Sequence, residues 1–183
     1  MLLKRIIKLI GVSVLGWGIV MGVACYKINK LPETNEARVL RLYHAIVVQT
    51  GLANMIPPVR VVDSDVVNAY NNGNEIVVYT GIIKATKNDD ELAMIIAHEI
   101  SHTTLWHLPL MQAYAKTWTA DDQEILESMA DKMGAFYAIK AGYNVCVGRE
   151  IWKRLKDIDG DYLAADHPDM AYRYDQLNVG CDK

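Results

Sequence analysis

Apolar residues recur three or four positions apart over long stretches of this chain, which predicts a mostly helical protein. The first predicted helix is Thr34–Thr50, with Gly51 as its stop. Its apolar face consists of Val39, Leu42, Ile46 and Val47. Further helical segments are predicted at Gly81–Thr86, Asn88–His107, Asp122–Ala141, Val147–Leu155 and Pro168–Leu177. Because residues 108–122 have no clear period, we expect a loop or irregular helix there.

A short β region is predicted between the first two helical segments. Runs rich in β-branched residues follow Pro57 and Pro58, at residues 59–63, 66–70 and 75–80. The turn sequence Asn71-Asn72-Gly73 predicts that the last two runs form a hairpin. We therefore expect an α+β domain with a small antiparallel sheet beside the helix Asn88–His107.

The helix Asn88–His107 contains the sequence HEISH at residues 98–102. His98 and His102 are four residues apart, so their imidazoles project from one helical face and can bind the same cation. Glu99 lies about 100° around the helix from His98, where a carboxylate contacts water rather than the cation. Two purely structural histidines are the alternative, but the full pattern is rare by chance in a chain of this length. The pattern therefore predicts a zinc site.

The ends of this helix are also specified by the sequence. Asn88 is a good N-cap, and Glu91 stands where a capping box needs an acidic residue. Asp89 and Asp90 favour the positive end of the helix, and Pro109 is predicted to stop it.

A catalytic zinc site typically uses three protein ligands, so two histidines leave one ligand to be found. The helix Asp122–Ala141 offers Glu127 and Asp131, which are four residues apart and share a face. The first can bind the cation while the second hydrogen-bonds a ligand imidazole. A solvated acidic face is the alternative for both. By spacing alone, the other candidates for the ligand role are Asp121, Asp122 and Glu124.

Charge is distributed unevenly along the chain. The first 30 residues have five basic side chains and no acidic one, whereas the rest has 14 basic and 22 acidic residues and a net charge of −8. An acidic domain is a poor ligand for nucleic acid, so no nucleic-acid partner is expected. We therefore divide the chain into an N-terminal segment, 1–30, and a single catalytic domain, 31–183, which is long enough for one core.

Residues 6–26 are almost wholly apolar and follow basic residues, which predicts an uncleaved signal anchor or a signal peptide that meets a membrane. The basic flank favours a bacterial inner-membrane anchor with the domain in the periplasm, although Lys27 and Lys30 weaken this bias. Alternatively, residues 22–25 resemble a lipobox, and Cys25 would then be lipidated.

Cys146 and Cys181 are the remaining cysteines. In an exported protein such a pair can form a disulfide, which would tie the C-terminal segment to the body of the domain. Two free thiols are the alternative.

The order of these motifs resembles one protein family. The sequences HEISHTTLWH, ESMAD and AGYN are similar to the HtpX-like and CAAX prenyl protease family of gluzincin metallopeptidases. The similarity extends to VNAY, VVYTGII and DHPDMAYRYDQL, and so covers about residues 60–178. This chain departs from the family in having only 24 residues between His102 and Glu127, and in having Tyr70 where phenylalanine is common.

The resemblance implies a zincin-like single domain with one Zn²⁺ per chain. It implies that His98, His102 and Glu127 bind the zinc, that Asp131 supports a ligand, and that Glu99 is the general base.

Three further residues near these motifs need an interpretation. His107 is interpreted as structural, because five helical positions after His102 turn its ring about 140° away. His167 and Arg173 are candidates for stabilising the oxyanion of a tetrahedral intermediate. A helix-capping histidine and a surface arginine are the alternatives for these two.

The expected function is zinc-dependent hydrolysis of peptide bonds in misfolded or envelope-associated proteins. The substrate would bind as an extended strand at a free edge of the sheet. The alternatives are a zinc-containing holdase or assembly factor without turnover, and a zinc hydrolase acting on a non-peptide amide. The intact Glu99 favours hydrolysis over holding, because binding alone needs no base.

Overall fold

The computed structural model describes residues 32–158, 170–178 and 181. The predicted apolar segment 6–26, Cys25 and His167 lie outside these described residues. Contacts group Asn35–Lys183 into one unit, to which all of the following elements belong. Within the described ranges, no helix is both long enough and apolar enough to cross a membrane.

The described residues are mostly helical, as the apolar spacing predicts. The first helix, α1, buries Val39, Leu42, Ile46 and Val47 as expected, together with Tyr43. The helices are α1 Asn35–Thr50, α2 Thr80–Ala85, α3 Asp89–Thr104, α4 His107–Ala113, α5 Ala120–Lys140, α6 Val145–Gly148, α7 Glu150–Ile158 and α8 Met170–Gln176.

A three-stranded sheet precedes α3 and has the order β1-β3-β2. The strands are β1 Val59–Val62, β2 Ala69–Asn71 and β3 Ile76–Tyr79. The predicted hairpin is confirmed, because β2 and β3 pair antiparallel with Tyr70 opposite Val77.

The prediction of a purely antiparallel sheet is wrong, because β1 pairs parallel to β3. The reason is that β1 pairs with β3 rather than with β2, the next strand in the sequence, so that β3 lies in the centre of the sheet. Its residues Ile76, Val77 and Val78 are fully buried. A continuous apolar run of this kind is typical of a strand that is covered on both faces.

The central helix α3 contacts α1, α4, α5, α6 and β2. It begins as predicted, because the side chain of Asn88 accepts a hydrogen bond from the backbone N–H of Glu91 at 3.0 Å. The predicted reciprocal capping bond is not formed. The Glu91 carboxylate instead accepts from the backbone of Lys87 at 2.6 Å and from both Nη atoms of Arg154 at 2.7 Å. Glu91 therefore joins α3 to α7.

The end of α3 differs from the prediction. The helix stops at Thr104, five residues before Pro109, and Trp106 adopts a left-handed conformation with φ 59°. Pro109 does not stop α3 but lies in the first turn of α4. A proline is tolerated there because the first N–H groups of a helix have no partner within it.

Cys146 and Cys181 form the disulfide that their pairing suggested. The bond spans 35 residues and joins α6 to the segment that follows α8. It therefore restrains the part of the chain that contributes Arg173.

Candidate metal centre

Three side chains from the two helices α3 and α5 converge on one point. The Nε2 atom of His98 lies 3.0 Å from Nε2 of His102 and 3.1 Å from Oε2 of Glu127. Oε1 of Glu127 lies 3.6 Å from Nε2 of His102. In the described part of the chain, these three residues form the one group of potential metal ligands whose donor atoms all lie within 4.8 Å of one another.

The geometry of this group suits a small divalent cation. Ligand atoms placed 2.0–2.1 Å from a tetrahedral zinc ion are about 3.3 Å apart. The separations of 3.0, 3.1 and 3.6 Å bracket this value. Two imidazoles and one carboxylate are also a ligand set of catalytic zinc sites, which keep a further position for water. The residues present therefore fit zinc.

Asp131 binds the Nδ1 side of the His98 ring, and Arg173 in turn binds Asp131. Oδ1 of Asp131 accepts a hydrogen bond from Nδ1 of His98 at 2.9 Å. Arg173 donates to both oxygens of Asp131, from Nε and Nη2, at 2.7 Å each. Because the carboxylate occupies Nδ1, the Nε2 atom of His98 is the one that faces the convergence point.

Opposing charges set the protonation of this buried cluster. Burial raises the pKa of Asp131, but Arg173 and the hydrogen bond from His98 outweigh it and lower the pKa to about 2. Burial and Arg173 lower the pKa of His98, but its hydrogen bonds to Asp131 and Glu127 outweigh both and raise it to about 9. The cluster is therefore a strong site for positive charge, which a proton or a cation can supply.

Arg173 is a buried residue with defined partners. Its side chain is 2% exposed, and its guanidinium carbon lies 4.1 Å from the ring centre of Trp152, on α7. Its Nη2 atom lies 4.0 Å from Oε2 of Glu127. The predicted alternative of a surface arginine is therefore wrong. The Nε and Nη2 atoms of Arg173 donate to Asp131. The role of Arg173 at an oxyanion stays a prediction.

Glu99 lies beside the converging ligands without being one of them. It is 4% exposed and lines a small cavity together with His98, Asn68 and Ala69. The side chain of Asn71, on β2, donates to the backbone oxygen of Glu99 at 2.8 Å and to Oγ1 of Thr103 at 2.8 Å. The hairpin is thus fixed against the turn of α3 that holds Glu99.

Comparison with known proteins gives a family match. Residues 33–121 match peptidase family M48. The matched residues include HEISH but end before Glu127, so the third converging side chain is supported by the geometry described above.

Two curated proteins are similar to parts of this chain. The chain is 26% identical over 130 residues to the mitochondrial metalloendopeptidase OMA1 of Arabidopsis thaliana, covering 57% of this chain and 27% of that protein. It is 42% identical over 48 residues to the β-barrel assembly-enhancing protease of Yersinia pestis, covering 26% and 10%. The chain therefore spans about a quarter or less of the length of these relatives. The resemblance drawn from the sequence is confirmed at the level of the M48 family.

The other acidic candidates do not reach the candidate metal centre. Asp121 and Glu124 are exposed on the first turns of α5. Asp122 accepts from both the backbone N–H and the hydroxyl of Thr119 and so caps the helix. Glu127 is 1% exposed. Asp121 and Glu124 face solvent instead, and Asp122 belongs to the N-terminal cap of α5.

Gly134 allows the two site helices, α3 and α5, to approach closely. A Cβ atom at this position would lie 2.9 Å from the backbone nitrogen of His98 and 3.0 Å from the carbonyl carbon of Ala97. α5 therefore packs directly against the turn of α3 that contains the first histidine. This contact was not predicted from the sequence, although a glycine in the interior of a predicted helix often marks close packing.

His107 occupies an unexpected position beside the candidate metal centre. It is not one of the converging donors, as expected, but its Nδ1 atom lies 3.0 Å from Nδ1 of His102. The predicted rotation of about 140° assumed one continuous helix, whereas α3 ends before His107. Burial lowers the pKa of His107 to about 4, so the imidazole is neutral at neutral pH.

Proposed function

We propose that this protein is a zinc-dependent endopeptidase. The observation that supports the proposal is the convergence of His98, His102 and Glu127, with Glu99 lining the adjacent cavity. The M48 match and the metalloendopeptidase and protease names of the two relatives agree with this chemistry. Each residue of the site then has one task in the reaction.

The three converging side chains would hold the zinc, which when bound polarises the scissile carbonyl and lowers the pKa of water to about 7. Glu99 accepts a proton from the attacking water and delivers it to the leaving amine. Asp131 keeps the lone pair of His98 Nε2 directed at the convergence point. Arg173 holds Asp131 in place through two hydrogen bonds.

Removal of zinc tests the proposal directly. Treating the purified protein with 1,10-phenanthroline is expected to reduce cleavage of labelled casein to background, and adding zinc is expected to restore it. The non-chelating isomer 1,7-phenanthroline is the matched control and should have no effect. Undiminished cleavage by protein shown to be metal-free would contradict the proposal.

The edge strand β2 is the proposed binding place for an extended substrate. In the order β1-β3-β2 it lies at the edge of the described sheet, on the side that contacts α3. The carbonyl of Asn68 accepts from Tyr79 N–H, and Asn72 N–H donates to the carbonyl of Glu75. Because antiparallel strands alternate in this respect, Ala69 and Asn71 direct their backbone groups to the other edge. A peptide paired there would run past Glu99.

This binding mode predicts an alternating response to backbone methylation of the substrate. In a peptide series with one N-methyl group at each position, every second amide is expected to be sensitive, since alternate N–H groups face the strand. Loss of one hydrogen bond of about 1 kcal/mol raises KM about fivefold. Steady-state kinetics measure the effect, and unmethylated peptides of the same sequence are the controls. Equal sensitivity at neighbouring positions would contradict pairing with β2.

The proposed substrates are misfolded or envelope-associated proteins. One relative is named a β-barrel assembly-enhancing protease, and that name agrees with a function in a bacterial cell envelope. Attachment to a membrane through residues 6–26, or through a lipid on Cys25, stays a prediction because these residues lie outside the described ranges. His167 lies outside them too, and its role at an oxyanion also stays a prediction.

A further inference from the structure

We propose that His107 is a positioning residue that fixes which nitrogen of His102 faces the metal centre. The proposal rests on the zinc site proposed above and extends it to a residue that is not a ligand. It is carried by the Nδ1–Nδ1 distance of 3.0 Å between His107 and His102.

The chain makes an unusual turn to place His107 there. After α3, Trp106 adopts φ 59°, and its backbone N–H donates to the carbonyl of Thr103 while its own carbonyl accepts from Leu110. Bulky residues rarely adopt this left-handed conformation, and it persists only where the surroundings hold it. Trp106 is 56% exposed, so its own burial does not explain the turn. The turn brings the ring of His107 back onto His102, with 5.0 Å between ring centres.

The hydrogen bond determines the tautomer of both rings. Nε2 of His102 faces His98 and Glu127, so a neutral His102 that binds zinc through Nε2 carries its proton on Nδ1. Nδ1 of His107 must then accept that proton's hydrogen bond. His107 consequently carries its own proton on Nε2.

This arrangement has a free-energy cost at His107. The residue is fully buried, and its Nε2 atom has no hydrogen-bond partner among the described residues. A buried polar group without a partner destabilises a fold, so an apolar side chain would fill this place better if packing were the only role. The accepting Nδ1 is the feature that an apolar residue could not supply.

The two ligand histidines thus have different supports. His98 donates to the carboxylate of Asp131, whereas His102 donates to a neutral imidazole. A neutral acceptor orients the ring without adding another negative charge beside Glu99, Glu127 and Asp131. Partners of this kind typically change metal affinity by about 10–100-fold when they are removed.

A matched pair of variants separates positioning from packing. His107→Phe keeps a ring of similar size but has no acceptor, whereas His107→Asn can place its amide oxygen where Nδ1 lies. Zinc affinity is measured by competition with a chromophoric chelator, and thermal unfolding of the zinc-free proteins is followed by circular dichroism. Should phenylalanine prevent folding, His107→Leu supplies a smaller side chain that also lacks an acceptor.

We expect zinc affinity to fall about 10–100-fold in His107→Phe and to stay within a few-fold of wild type in His107→Asn. The unfolding temperature of zinc-free His107→Phe should not fall, because the unpartnered Nε2 is removed. ¹⁵N NMR of the zinc-loaded wild type should show a proton on Nδ1 of His102. Wild-type affinity in the phenylalanine variant, or a proton on Nε2 of His102, would overturn the role of His107 alone. Failure of the wild-type protein to bind zinc would overturn the proposed function as well.

Discussion

Glu99→Gln is expected to abolish proteolysis while leaving zinc bound. Glutamine has nearly the same shape as glutamate but cannot accept a proton at neutral pH, and general-base catalysis typically contributes about 10²–10⁴-fold to a rate. Glu99 is not among the converging donors, so its replacement should not weaken the metal site. We therefore expect kcat for a quenched fluorescent peptide to fall by about 10²–10⁴-fold, with zinc content unchanged by elemental analysis.

The exposed Glu124 supplies the matched control for this variant. Glu124→Gln makes the same chemical change on α5, outside the metal centre, and should leave both rate and zinc content at wild-type values. Cleavage by Glu99→Gln at the parental rate would contradict the assignment of the base. Equal trapping of a partner protein by wild type and Glu99→Gln, without fragments in either case, would instead favour a holdase.

Glu127→Gln is expected to lose most of the affinity for zinc. Among the described residues, Glu127 supplies the one carboxylate that converges with His98 and His102, and the substitution removes its negative charge. Removing residues that only support a ligand already changes affinity about 10–100-fold, so loss of a ligand itself should exceed about 100-fold. Titration against a chromophoric chelator measures this change, and activity should fall in parallel at limiting zinc.

The control on the same helix is again Glu124→Gln, since spacing alone made Glu124 a rival for the ligand role. Wild-type affinity is expected for it, because the side chain is exposed and lies outside the converging group. A Glu127→Gln protein that retains one zinc per chain at wild-type affinity would remove Glu127 from the site. Weak binding by Glu124→Gln would point to a different arrangement of α5.

Local patterns predicted the parts of the fold whose determinants lie close together in sequence. The side chain of Asn88 caps α3, and the spacing of His98 and His102 predicted that their imidazoles share one face. The buried face of α1 followed from the apolar spacing around Leu42. Helical periodicity and capping depend on neighbours within a few residues, which a single sequence contains.

The features that the sequence did not predict depend on long-range packing. The parallel pairing of β1 with β3 depends on strand order, which alternation does not encode. Spacing left several acids as possible third ligands, and the choice of Glu127 follows from the depth at which α5 packs against α3. Gly134 permits that depth, but its partner, the backbone of His98, lies on another helix.

The position of His107 illustrates a second reason why the sequence did not predict part of the site. Its predicted direction followed from extending a helix that in fact ends at Thr104. The residue responsible, Trp106, has no intrinsic preference for the left-handed conformation it adopts. Local propensity was therefore overridden by the surrounding structure, at a turn that lies directly beside a proposed ligand.

Anomalous diffraction at the zinc edge, from crystals of the zinc-loaded protein, tests whether α3 and α5 together hold one zinc ion. We predict one strong peak per chain between α3 and α5, about 2.0–2.2 Å from Nε2 of His98, Nε2 of His102 and a carboxylate oxygen of Glu127. A peak bound by other residues, or the absence of a peak between these helices in crystals shown to contain zinc, would contradict the account.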